Sequence, residues 1–123
     1  MAMHGSVILA VTILFFPSYP TSAMDNNLAA TIDQLLKYVE ESNCTFIRNG
    51  KAYDSKKAAE HIRQKYDYFK EKIRTPEDFI ELSATRSTAT GRLYYIRCPG
   101  RAEIPTGEWL RAELSHYRRS VQK

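Results

Sequence analysis

Two cysteines, Cys44 and Cys98, stand at opposite ends of two β-like runs, and a bond between them would constrain the fold of this chain more than any other feature. Thr45-Phe46-Ile47-Arg48 follows the first cysteine, and Arg92-Leu93-Tyr94-Tyr95-Ile96-Arg97 leads into the second. Antiparallel pairing sets the start of one strand beside the end of the other, so sheet and disulfide are mutually supporting expectations. The bridge would close a loop of more than fifty residues, worth on the order of 4 kcal/mol through lost unfolded-chain entropy. Two buried free thiols are the alternative. A structural zinc site wants four Cys or His ligands at short spacings. Beyond residue 23 the chain offers two Cys and two His, far apart and with no CxxC pair, so neither metal nor cofactor is expected.

A disulfide persists in an oxidising compartment, and the N-terminus supplies a route to one. Ser6 to Phe16 reads SVILAVTILFF, followed by Pro17, Pro20 and the small residues Thr21-Ser22-Ala23. This is the layout of a secretory signal peptide cleaved after Ala23, although its first residues hold no Lys or Arg. A retained N-terminal anchor is the competing reading. The apolar run falls short of the roughly 20 residues that span a bilayer, so no stable membrane insertion is expected after cleavage. Residues 1–23 contain no Asp, Glu, Lys or Arg, so the remaining 100 residues (123 minus 23) keep the full formal charge of +4. They make one small domain, residues 24–123, destined for the periplasm or for secretion. A charge of +4 is small beside the basic faces of nucleic-acid binders, and nucleic acid is excluded as a partner.

Hydrophobic spacing orders the elements. Leu28, Ile32, Leu35, Leu36 and Val39 form one helical stripe, with Asp25 as the expected cap. Asn49-Gly50 between Thr45–Arg48 and Lys51–Tyr53 predicts a two-residue hairpin that sets Phe46 opposite Tyr53 and Arg48 opposite Lys51. Asp54 or Ser55 caps a second helix to about Lys72, with Ala58, Ala59, Ile62, Tyr66, Phe69 and Ile73 buried. Thr75-Pro76-Glu77-Asp78 opens a third helix running to about Arg86. A last helix over Glu108 to Arg119 presents Trp109, Leu110, Leu114 and Tyr117. The expected fold is α+β: about four helices packed on a small antiparallel sheet of two or three strands, a single domain with one disulfide.

Chemistry is sparser. Lys57 and Lys65 flank His61 at i−4 and i+4, which disfavours its charged form and leaves a neutral imidazole able to act as a base. Ser87 is the one serine in a loop context suited to a nucleophile, but no strained elbow such as GxSxG surrounds it. The acid pairs Glu40-Glu41 and Glu77-Asp78 sit at helix ends, where capping and solvation account for them. Arg48 and Lys51 beside the hairpin turn, with Ser87, Thr88, Thr90 and Arg92 before the last strand, combine hydroxyls, a glycine turn and guanidinium forks. That combination suits a carboxylate or phosphate group, and a solvated mixed-charge surface is the plainer reading.

The blocks F-I-R-N-G-K, A-A-E-H-I-R-Q-K-Y, T-P-E-D-F-I, S-T-A-T-G-R-L-Y and a late W-L occur in this order over about residues 30 to 118. Together they resemble the YfeK-like family of small exported bacterial proteins, a domain of unknown function (DUF5329). Leu93 stands where the family pattern has a proline before the tyrosine. The resemblance implies an exported α+β protein and carries over no reaction, cofactor or substrate. The functional expectation is a non-enzymatic module that binds an unknown protein or an anionic small molecule through Arg48, Lys51, Ser87, Thr88, Thr90 and Arg92. A small hydrolase or transferase using His61 and Ser87 is the alternative.

Overall fold

Cys44 and Cys98 are joined, with Cα atoms 4.4 Å apart across a sequence separation of 54, in a computed structural model that describes Gly5, residues 10–15 and residues 21–122. The bond fastens two adjacent antiparallel strands, β1 (Thr45–Arg48) and β3 (Tyr95–Arg97), in the register Thr45↔Arg97, Phe46↔Ile96 and Ile47↔Tyr95. β2 (Lys51–Tyr53) pairs with β1 through the expected hairpin, with Phe46↔Tyr53 and Arg48↔Lys51 opposed. Asn49 and Gly50 have φ of 50° and 77°, the positive values at both central positions that a type I′ turn demands.

A short strand β4 (Ile104–Pro105) completes the order β2-β1-β3-β4, pairing Ile104 with Ile96. The sheet thus has four strands where two or three were expected. β4 has only two residues, one of them a proline that the sequence presents as loop, and proline is confined to sheet edges.

Helix α1 (Thr21–Glu41) buries Ile32, Leu35, Leu36 and Val39, the stripe that the spacing predicted. Its backbone begins four residues before Asp25, which is therefore no cap; Pro20 is the last helix breaker before it. Much of the expected leader, residues 1–4, 6–9 and 16–20, lies outside the described residues, and the expected cleavage after Ala23 falls within the first turn of α1. Val11, Ile13, Leu14 and Phe15 are exposed, and the core cluster draws on nothing before Leu28 among the described residues.

Helix α2 (Ser55–Phe69) is capped by Asp54, whose carboxylate accepts from the Lys57 N–H at 2.8 Å, and it buries Ala58, Ala59 and Ile62. Ser55 Oγ donates to the Glu40 carbonyl at 2.9 Å, tying α2 to the end of α1. After a 3₁₀ turn, α3 (Pro76–Phe79) starts with a full capping box between Thr75 and Asp78. It then widens into a π-helical segment, Ile80–Ala84, ending before the predicted Arg86. The Thr85 hydroxyl donates to the Ile80 carbonyl at 2.7 Å and closes that wide turn. Helix α4 (Thr106–Val121) buries Leu110 and Leu114, and its Trp109 stacks on Tyr38 of α1 at 4.5 Å and meets the edge of Phe46 at 5.8 Å. The core lies between these helices and the face of the sheet carrying Phe46 and Ile96. Among the described residues no helix is long and apolar enough to cross a membrane.

Candidate functional site

Strand alternation decides where Arg48 goes. Phe46 is 5% exposed, facing the core; two residues on, Arg48 must share that face. Tyr53 and Lys51 share it from β2, being the cross-strand partners of Phe46 and Arg48. At this end of the sheet the covering element is α2, which presents His61 and Lys65 one helical turn apart. On the approach to β3, Tyr94 lies two residues before the buried Ile96 and is itself buried. A cleft of about 380 Å³ is walled by Arg48, Lys51, His61, Lys65, Ser87 and Tyr94, with Thr88 at its mouth. A smaller pocket of about 30 Å³ continues inward past Arg48, Tyr53, His61 and Tyr94 to Ala58, Ile62 and Thr106. It has room for a water molecule or a methyl group. Thr106 is 1% exposed and its hydroxyl has no partner among the described residues.

The side chains are held by one another. The Arg48 guanidinium lies over the Tyr53 ring, 4.4 Å from its centroid, in a cation–π contact. Tyr94 Oη sits 3.2 Å from His61 Nε2 and accepts a hydrogen bond from Lys65 Nζ at 3.3 Å. Lys65 Nζ also donates to the Arg86 carbonyl at 2.6 Å, two residues beyond the π segment. An ammonium has three donors, so one remains for the cleft. Lys65 is only 9% exposed and has no carboxylate within ion-pair distance among the described residues.

The electrostatic consequences follow from burial and from Arg48. Burial, the Arg48 charge and then the Lys65 charge push the His61 pKa down to about 4, so the ring is neutral near pH 7. Burial and Arg48 likewise lower Lys65. Burial raises Tyr94, with Arg48 acting against it. Neutral His61 was expected from Lys57 and Lys65. Lys57 instead lies 3.7 Å from Glu60, and Arg48 from the opposing strand acts in its place.

The hydroxyl loop docks on the hairpin through one side chain. Asn49 Nδ2 donates to Ser87 Oγ at 3.3 Å, and Asn49 Oδ1 accepts from Thr90 Oγ1 at 2.8 Å. Within the loop, the Thr90 N–H donates to Ser87 Oγ at 3.3 Å and the Arg92 N–H to Thr90 Oγ1 at 3.2 Å. The Ser87 N–H reaches the Arg92 carbonyl and the Gly91 N–H the Ser87 carbonyl, each at 2.9 Å. Gly91 has a φ of 74°, which the turn requires.

Arg48, Lys51, Ser87 and Thr88 therefore meet at one cleft, whereas Thr90 and Arg92 build the loop and do not wall it. His61 also lies on this cleft, but its partner is Tyr94, and Ser87 is held by Asn49 and Thr90; no hydrogen bond joins His61 to Ser87 among the described residues. Arg97, at the far end of β3, pairs with Glu103 at 3.7 Å. Among the described residues no group of three His, Cys, Asp or Glu side chains clusters as a metal site.

Sequence reasoning missed Lys65, Tyr94 and Tyr53 as parts of the cleft. Lys65 was legible, because Ala58, Ile62, Lys65 and Phe69 follow the four-three-four spacing of a buried stripe.

The chain matches a family of unknown function (DUF5329) over residues 26–118. It is 29% identical over 89 residues to the uncharacterized protein YfeK of Salmonella typhimurium, covering 72% of this chain and 74% of that one. No solved structure matches.

Proposed function

The chain belongs to this family of unknown function (DUF5329), so its role has to be read from its own cleft, and we propose that it is an exported, periplasmic binding protein that captures an anionic ligand or partner without transforming it. The observation that carries this reading is Lys65. Lys65, a residue nine-tenths buried with no carboxylate partner among the described residues, lies on the same cleft as Arg48 and Lys51, and such a charge is costly to maintain. An anion in the cleft would offset that cost by supplying the missing charge. Thr88, between the two residues that the Asn49 side chain holds, lines the cleft and adds a hydroxyl donor for the ligand's oxygens. A removable leader ending at Ala23 and a disulfide suited to an oxidising compartment fit the same setting.

The test uses the double variant Arg48→Ala with Lys51→Ala. Both side chains stand beside the hairpin turn, so the far-UV circular dichroism should match the wild type. Equilibrium binding of acetate, citrate and inorganic phosphate is then compared between the two proteins. The reading expects the bound anion to be held about tenfold or more weakly by the variant, the loss of charge-assisted hydrogen bonds. Unchanged binding, or no binding of any anion to the wild type, sinks it.

A further inference from the structure

The charge balance of the cleft narrows the ligand class, in an inference that rests on the anion reading above. Three basic side chains, Arg48, Lys51 and Lys65, wall the cleft, and no Asp or Glu does. Their basic neighbours are compensated: Lys57 is close to Glu60, and Arg86 and Arg111 both bond the Glu81 carboxylate at 3.0 and 3.1 Å. The three in the cleft are not, among the described residues. Because the Arg48 guanidinium is laid over Tyr53, its orientation is set in advance, and its edge presents the planar fork that grips two oxygens of one group. Lys65, with two of its three donors used, and Thr88 line the same cleft.

We infer that the cleft takes a small phosphomonoester, its phosphoryl group between Arg48, Lys51 and Lys65 and its organic part in the remaining space. A monocarboxylate neutralises only one of three cations, whereas a phosphoryl group carries close to two negative charges at pH 7 and three acceptor oxygens. An amino acid brings an ammonium that finds no carboxylate on these walls, so zwitterions are rejected by the same imbalance that attracts phosphate. The volume of about 380 Å³ leaves room beyond a phosphoryl group for a few-carbon substituent.

The geometry couples binding to the protonation of His61. His61 is faced by Arg48 from β1, by Lys65 on its own helix and by the Tyr94 hydroxyl from the approach to β3. A bound dianion offsets the two cations, so protonated His61 becomes less unfavourable and its pKa rises from about 4.

Calorimetric titration of the protein at pH 7 with glycerol 3-phosphate, acetate and glycine tests the class. Glycerol 3-phosphate should bind about tenfold or more tightly than acetate, glycine should not bind, and Lys51→Ala should weaken glycerol 3-phosphate by about tenfold. Lys51 is exposed, so this variant keeps the fold where Lys65→Met could lose it. Sulfate, a dianion that does not titrate between pH 4 and 7, should move the His61 ring resonances to a higher midpoint in an NMR titration. Acetate binding as tightly as glycerol 3-phosphate, with both weakened by Arg48→Ala and Lys51→Ala, overturns the phosphoryl assignment and leaves anion capture standing. Binding to phosphatidic acid vesicles with none to glycerol 3-phosphate overturns it in favour of a lipid surface. No binding of any anion removes both readings.

Discussion

Asn49 serves two structures at once. Its backbone, at φ 50°, makes half of the hairpin turn, and its side chain holds the Ser87 and Thr90 hydroxyls that shape the opposite wall of the cleft. Asn49→Gly separates the roles, because glycine adopts the turn without strain and lacks the amide. Its expected effect is a loss of about 1–2 kcal/mol in local stability, read as faster hydrogen exchange at the Gly91 amide with the β1–β3 amides still protected. His61 is the other residue with a clear signature. Its folded pKa of about 4 lies below the ordinary 6.5, so between these values the unfolded chain binds more protons than the folded one. Its contribution is therefore fully present above pH 6.5 and lost as pH falls toward 4. Allowing for its partial exposure, the loss is about 1–2 kcal/mol. His61→Gln should flatten this part of the stability profile measured by urea unfolding from pH 7 to 4; an unchanged profile would show that His61 titrates normally.

At the scale of elements, spacing and turn chemistry were good guides where one residue or one period dominates. Asn49-Gly50 dictated the hairpin and its register, Thr75-Pro76 the start of α3, and the stripe from Ile32 to Val39 the buried face of α1. The rest depended on contacts between elements. β4 is too short to carry a pattern and forms because the chain between Cys98 and Thr106 runs back along β3, with the Thr106 N–H bonded to the Tyr94 carbonyl at 2.9 Å. The π segment Ile80–Ala84 is likewise invisible to a 3.6-residue period, and it ends where the Thr85 hydroxyl takes up the Ile80 carbonyl. Ion pairs at this level, such as Glu77 with Arg118 and Glu81 with Arg111, join α3 to α4 on an exposed surface. Exposed pairs add little to stability, so the docking of these helices rests on Phe79, Ile80, Leu110 and Leu114, all 2% exposed or less.

For the whole molecule the disulfide is the main restraint on the unfolded chain. Reduction, or Cys44→Ser with Cys98→Ser, should lower stability by about 4 kcal/mol for a loop of this length, seen as a drop in the urea midpoint. A non-reducing mass two hydrogens below the reduced value, on a chain starting at Met24, would establish both the bridge and the expected cleavage after Ala23. The fold class, the bridge and the first strand pairing could be read from the sequence, because each follows from local signals: helical periods, a turn dipeptide and two cysteines at strand ends. The cleft was legible only in pieces. Arg48 and Lys51 were read as candidate anion contacts beside the turn, yet Arg48 proved to be stacked on Tyr53, while Lys65, from another element, is the more deeply buried charge. Which cations end up facing one another depends on how α2 crosses the sheet, a packing choice spread over many apolar contacts. That choice brings Lys65, His61, Tyr94 and Arg48 together from three separate segments, and no local stretch of the sequence contains it.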